Sequence, residues 1–344
     1  MAPVSGPLEG LTVVELAGIG PGPFCAMLLA DLGAKVVRVQ RPGGNPDGRG
    51  ANPVLDRHRE RVVEADLKTP DGVATVLDLV AEADALIEGF RPGVMERLGV
   101  GPAECLARNP RLVYGRMTGW GQDGPYAQTA GHDITYLAIT GALHAIGRRE
   151  APTVPLNIVG DFGGGGMLLA FGLLAAVWRA ARTGRGQVVD AAIVDGVAAL
   201  TGMFHGSLAR GAWTDEREAN LLDGGAPFYD TYACADGRHV AVGALEPKFF
   251  RALIERLGLA ADPAFAGDHL DPARWPAMRE RLTSAFAARS RDAWTEVFAG
   301  TDCCVAPVLT FAEATQDPHN VARGTFRVFD GHTQPAPAPR FSDA

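Results

Sequence analysis

Apolar and polar positions in the first half of the chain alternate between two periods. Leu11 to Ala17 is a β-branched run, Pro21 to Leu32 carries a helical pattern closed by Gly33, and Ala34 to Gln40 is a second β-rich run. Together they predict a βαβ unit. Val73, Val76, Leu77 and Val80 recur at helical spacing ahead of the apolar stretch Ala85-Leu86-Ile87, and Leu112 to Met117 predicts a further strand. Such alternation implies a parallel sheet with helices on both faces, hence an α/β fold. A glycine-opened helix from Gly163 to Arg182 and a strand from Gln187 to Ala191 extend the series.

The texture then changes. From Ala192 to Asp223 helix-like stretches are broken by Gly196, Gly202, Gly206 and Gly211, with charges gathered at Asp215 to Glu218, and this segment reads as a connecting arm. Beyond it, Tyr229 to Cys234 and His239 to Val242 alternate in polarity around Asp236-Gly237, the pattern of an antiparallel hairpin. Helices predicted over Lys248 to Leu257 and Trp275 to Ala288 make this second region α+β. The expected organisation is a large domain over residues 1–191, an arm over 192–222, a small domain over 223–318, a return linker over 319–331 and a closing strap over 332–344 that completes the large domain. The strap carries Pro335-Ala336-Pro337-Ala338-Pro339, which favours extended chain.

Composition narrows the class. The 344 residues are 47% hydrophobic and 21% charged, as in an ordinary globular protein of roughly two domains. A net charge of −8 argues against general nucleic-acid or membrane-surface binding, so an anionic ligand requires a local basic cluster. Cys25, Cys105, Cys234, Cys303 and Cys304 form no Cys-x-x-Cys pair and have no His at zinc-ligand spacing, which supports neither a disulfide scaffold nor a metal site. The opening residues Met1 to Pro7 lack the basic start and apolar core of an export leader, so a reducing cytoplasm is expected. The apolar run Met167 to Trp178 is shorter than the ~20 residues that span a bilayer and is expected to be a buried helix.

Two segments carry candidate chemistry. Gly131-His132-Asp133-Ile134-Thr135-Tyr136 and Gly160-Asp161-Phe162, the latter followed by Gly163 to Gly166, each put a proton-transfer group beside a glycine-bounded turn. A His and an Asp on opposite sides of one carbon can take a proton from one face and return it to the other, and imidazole and a partly desolvated carboxylate both titrate in a useful range. An Asp before glycines serves equally well as a turn or cap residue. Gly18-Ile19-Gly20-Pro21-Gly22-Pro23 lies where a dinucleotide fold keeps its glycine-rich turn, but Pro23 replaces the third glycine and Gln40 stands where a ribose-binding acid is expected, so a structural turn is favoured. Arg38 and Arg41, the segment Ala65-Asp66-Leu67-Lys68, and Gly89-Phe90-Arg91 follow successive strands, where cations would converge on phosphates such as those of coenzyme A. Taken singly, each reads more readily as a solvated surface residue.

At these residues the sequence resembles the α-methylacyl-CoA racemases of the type III CoA-transferase (CaiB/BaiF-like) superfamily. The resemblance runs through Val14 to Pro23, Glu88 to Gly93, Thr118 to Pro125, Gly131-His132-Asp133, Val159 to Phe162, and Asp223 to Pro227. It implies a Rossmann-like large domain, a smaller second domain and two chains interlocked like linked rings. It further implies that His132 and Asp161 are the proton-transfer pair and that Glu246 reaches the site from the small domain of the partner chain. Ile19, Arg41, Ala65, Asp66, Leu67, Lys68, Gly89, Phe90, Arg91, Arg97, Gly131, Asp133, Ile134, Thr135 and Tyr136 are the positions it assigns to CoA binding. No metal or organic cofactor is implied beyond the CoA of the substrate.

The mechanism expected on this basis is racemisation of a 2-methylacyl-CoA thioester through a planar enolate, its oxygen held by backbone amides near Asp133 or at a helix start over Gly163 to Gly166. The rival is CoA transfer between carboxylic acids with Asp161 as nucleophile. His132 favours the racemase, which needs two proton-transfer groups. Two departures from the family pattern stand out. The sequence stops at Ala344, where relatives continue, so a short strap is expected. The arm segment Gly202 to Ser207 holds one methionine, which leaves the acyl preference open.

Overall fold

A computed structural model describes residues 6–44, 52–57 and 59–342. The expectations for the opening segment and for the end of the strap therefore fall partly outside the described residues. The chain forms two compact units. One runs to Leu143, resumes over Pro155–Met203 and takes in the chain from Gln334 onward; the other comprises His144–Val154 and Phe204–Thr333.

The first unit is built on six parallel strands, β1 (Thr12–Leu16), β2 (Lys35–Gln40), β3 (Arg59–Glu64), β4 (Ala85–Glu88), β5 (Val113–Thr118) and β6 (Gln187–Ala192), in the order β3-β2-β1-β4-β5-β6. Alternate side chains divide between two buried layers, as the period of two requires. Val13, Val36, Ile87 and Val113 belong to one layer with Cys25, Ala26 and Leu29 of α1 (Pro21–Asp31). Val14, Val39, Leu86 and Tyr114 belong to the other, with Val76 and Val80 of α2 (Pro70–Glu82), Met95 of α3 (Val94–Arg97) and Cys105 of α4 (Pro102–Arg108). Local chemistry sets the helix starts: Pro21 and Pro70 occupy first-turn positions without needing a donor, and Thr69 Oγ1 accepts the Gly72 amide at 3.2 Å. α5 (Asp133–Ile139) follows β5.

The glycine-rich helix begins earlier than its sequence suggests. A 3₁₀ turn at Leu156–Ile158 leads into a π-helical stretch over Val159–Met167 and then into α6 (Leu168–Thr183). Residues 156–183 are consequently long and apolar enough, by length and composition, to cross a membrane, with a mean hydropathy of 1.6 over an 18-residue window. One face of α6, including Leu169, Leu173, Ala176 and Ala180, is nevertheless part of the core beneath the sheet. The glycines serve close approach. A Cβ on Gly166 would lie 2.8 Å from the Pro21 carbonyl oxygen, and one on Gly164 would lie 2.8 Å from the Val197 amide nitrogen of α7 (Ile193–Leu200).

By compactness the division falls elsewhere than the expected boundaries, for long-range reasons. α7 buries Ile193, Gly196 and Val197 in the first unit instead of serving as an open arm, whereas the following α8 (Gly202–Ala209) buries nothing. Residues 144–154 join the second unit, where Arg148 pairs with both Glu218 and Asp230 at 2.8 Å. The expected return linker contains a helix, Pro318–Arg323, and a strand, Phe326–Phe329. The closing strap is anchored in the first unit by the buried Arg57, whose guanidinium pairs with Asp31 and donates at 2.8 Å to Gln334 Oε1 and to the Pro335 carbonyl.

The second unit carries the expected hairpin, β7 (Tyr229–Ala233) and β8 (His239–Gly243), turning at Gly237 with φ 75°, and a third antiparallel strand, β9 (Val305–Pro307). Tyr232, Val240 and Val242 pack with Phe250 and Leu253 of α9 (Pro247–Arg256), Met278 and Phe286 of α10 (Trp275–Phe286) and Trp294 of α11 (Arg291–Phe298). β9 and α11 lacked a long enough periodic run to be read from the sequence.

Candidate active site

Strand order reverses between β1 and β4, and in an open parallel sheet the loops at such a point bound a ligand crevice. Two adjoining clefts lie there. One, of about 700 Å³, is lined by Ile19, Arg41, Ala65, Asp66, Leu67, Lys68 and Phe90 among others. The second, of about 650 Å³, is lined by Gly89, Phe90, Arg91, Gly131, His132, Tyr136, Asn157 and Asp161 among others, and shares Leu16 to Ile19 and Phe90 with the first. The sheet therefore brings together residues from five separate loops. Arg97, Asp133, Ile134 and Thr135 line neither cleft among the described residues. Arg38 faces the first cleft with its guanidinium committed to Asp56, so it is a structural cation. Arg41 donates to the Gly44 carbonyl at 2.6 Å, and Lys68 is exposed at the rim.

His132 and Asp161 face the second cleft from different elements. His132 is exposed and caps α5, where Thr135 Oγ1 accepts its amide at 3.0 Å and donates to its carbonyl at 2.6 Å. Asp161 is half-buried within the π-helical stretch; its amide donates to Asp133 Oδ1 at 2.8 Å, and its Oδ2 accepts from Asn157 Nδ2 at 3.2 Å. Burial raises the Asp161 carboxyl above the ordinary range and Asp133 adds to the rise, while the Asn157 hydrogen bond and His132 pull it down. Asp133 is also raised, chiefly by burial, against the amides of Asp161 and Gly160 that it accepts.

The walls are set by packing. Tyr136, 8% exposed, stands edge-on to Trp120 with centroids 4.6 Å apart, and a Cβ on Gly119 or Gly131 would fall 2.0 or 2.6 Å from its ring. Those glycines are required to seat the ring. Gly20, at φ 67°, brings the turn before α1 against Asp161, with the position of a Cβ only 3.4 Å from Oδ2. Beneath the Gly89 to Arg91 loop, Glu88 is 1% exposed; its Oε2 accepts the Phe90 amide at 2.7 Å and its Oε1 faces Arg116 at 3.2 Å. Burial pushes the Glu88 carboxyl up to about 7 despite both partners.

The profile of CoA-transferase family III matches residues 8–343. The chain belongs to CoA-transferase family III. Its relatives include the human (Homo sapiens) alpha-methylacyl-CoA racemase, 46% identical over 338 residues that cover 96% of this chain and 86% of that protein. A succinyl-CoA–D-citramalate CoA-transferase of Chloroflexus aurantiacus is 34% identical, covering 92% and 82%. A CaiB/BaiF family protein from Brucella suis has the same fold, with a TM-score of 0.83 and 29% identity, covering 99% of this chain and 94% of that one.

Within this family III fold one expectation changes. Gly163 to Gly166 lie inside a helical segment that starts at Leu156, so they do not offer the positive end of a helix to an enolate oxygen. Gly18 to Gly20 form the structural turn expected before α1, with Gly20 against Asp161, and Arg41 just after β2 donates from Nε to the Gly44 carbonyl. Glu246 is exposed in the second unit and caps α9 without a side-chain hydrogen bond to it. Among the described residues, no three His, Cys, Asp or Glu side chains gather as metal ligands. Sequence reasoning missed Asn157, because it started the helix at Gly163 and so did not bring Asn157 to Asp161. It also missed Glu88, whose burial no local pattern reveals.

Proposed function

We propose that this chain is a racemase that interconverts (R)- and (S)-2-methylacyl-CoA thioesters by removing and returning the α-proton. The observation that carries the proposal is the meeting of His132 and Asp161 on one cleft at the switch point of the sheet, in a chain 46% identical to an alpha-methylacyl-CoA racemase. The thioester acidifies the α-hydrogen, and the group on one face removes it. The planar enolate is reprotonated by the group on the other, so each acts as base in one direction and acid in the reverse. An amide near Asp133 is the proposed donor for the enolate oxygen, since those of Thr135 and Tyr136 are bonded to the His132 carbonyl.

The two adjoining clefts together suit CoA. The nucleotide would lie in the first, near Arg41 and Lys68, and the thioester in the second. The strand order 3-2-1-4-5-6 supports a Rossmann-like large domain, and the anchoring of Gln334 and Pro335 by Arg57 supports its completion by the strap. No cofactor beyond the CoA of the substrate enters this chemistry. We further propose an interlocked homodimer in which Glu246 serves the partner's site. The exposed apolar residues Met167, Phe171 and Trp178 along α6 and its π-helical lead support burial against a second chain. The burial of one face of α6 in the core supports a protein that does not span a membrane, the charge of −8 one that does not bind nucleic acid, and five unpaired thiols a reducing cytoplasm.

CoA transfer with Asp161 as nucleophile is the second reading, favoured by the family III transferases among the relatives. Substitution separates the two. His132→Ala and Asp161→Asn should each lower interconversion of the enantiomers by at least ~10²-fold. A His132→Ala protein that still moves CoA to a free carboxylic acid at the wild-type rate would establish the transferase instead.

A further inference from the structure

Asp133 immediately follows one proton-transfer residue in the chain and is hydrogen-bonded to the backbone of the other. Its Oδ1 accepts the Asp161 amide at 2.8 Å, and the same carboxylate accepts the amide of Gly160. The contact is close enough to dictate the neighbouring residue: a Cβ on Gly160 would lie 2.1 Å from Oδ1. On the other side, Thr135 fixes the His132 backbone through both its amide and its carbonyl. The Asp133 side chain lines neither cleft, so its carboxylate is turned towards the protein backbone and away from the space a substrate would fill.

We propose that Asp133 is a positioning residue that fixes the separation of the two proton-transfer groups by tying the Gly160–Asp161 backbone to the turn at His132. This rests on the racemase reading. It replaces the expectation that the Asp133 side chain contacts CoA. A carboxylate suits the task because it accepts two backbone N–H groups at once near the start of a helical segment, where donors outnumber carbonyl partners. Asparagine at this position keeps one oxygen acceptor of the same reach; alanine keeps none.

The test uses the full-length protein and compares Asp133→Asn, Asp133→Ala and Gly160→Ala. Each is assayed for kcat, KM and the ratio of deuterium incorporation to inversion in heavy water. Loss of the tie should lower kcat in Asp133→Ala and Gly160→Ala on the order of 10²-fold, the scale of an ångström's misplacement, with KM nearly unchanged. His132 stays in place and still exchanges on its own face, so incorporation should outrun inversion in both variants. Asp133→Asn should recover most of the rate. Should Asp133→Ala not fold, Gly160→Ala and Asp133→Asn carry the comparison. A rise in KM with kcat kept, an unchanged exchange-to-inversion ratio, or Asn no better than Ala would each overturn the proposal. Wild-type protein that neither exchanges nor inverts would refute the racemase reading itself, an outcome distinct from any of these.

Discussion

Asp161 shows how single contacts tune a carboxyl group in the cleft. Its carboxyl is raised by burial and by Asp133 and held down by the hydrogen bond from Asn157. That donor stabilises the charged form, so Asn157→Ala should raise the Asp161 pKa further. In the direction in which Asp161 is the base, its carboxylate is required, and rate is lost as pH falls through that pKa. The acid limb of the pH–rate profile should therefore move to higher pH in Asn157→Ala, with a plateau loss smaller than the ~10²-fold expected for removing a proton-transfer group. An unmoved limb would show that Asn157 does not touch the titrating group. At this scale the sequence singled out His132 and Asp161 beside glycines, and the structure brings the two onto one cleft. The sequence was silent on Asn157, because the helix was expected to start only at Gly163, and on Glu88 and the tie from Asp133 to Gly160, because burial and long-range approach leave no local pattern.

The elements were legible wherever one period persisted. β1, α1 and β2 match the runs from Leu11 to Gln40, and the hairpin around Gly237 lies where alternation and an Asp-Gly pair placed it. The start of the glycine helix was misread, because four consecutive glycines resemble a loop before a helix and here lie within one. Their role is packing between helices, and it can be measured. A Cβ on Gly196 would fall 1.8 Å from the Gly164 carbonyl oxygen, a backbone clash that no rotamer relieves. Gly196→Ala should destabilise by at least the ~1–3 kcal/mol typical of overpacking. Thermal unfolding should show Tm lowered by roughly 2–4 °C for each kcal/mol. The control Gly202→Ala, where a Cβ meets nothing within 4 Å, should leave Tm essentially unchanged. Equal Tm values for the two variants would contradict the close-packing account.

For the whole molecule, the parallel sheet could be anticipated from alternation, whereas its strand order and the second unit's claim on residues 144–154 could not, the latter depending on Arg148 finding Asp230 and Glu218. Assembly is tested by complementation. If Glu246 completes the partner's site, His132→Ala and Glu246→Ala proteins, each defective alone, should regain activity when co-expressed. A mixed dimer would then hold one site with both lesions and one with neither, giving about half the wild-type activity, and mixing the finished proteins should not reproduce this. A mixed dimer without recovery, or a monomer in solution, would place Glu246 elsewhere. The central claim, α-proton transfer between two faces of one carbon, is tested most directly by incubating a single enantiomer of a 2-methylacyl-CoA with the protein in heavy water. The account predicts drift to a racemic mixture with deuterium entering at the α-carbon, from either starting hand and without any free acid present. Retained configuration with no α-deuterium, alongside CoA transfer once a carboxylic acid is supplied, would contradict it.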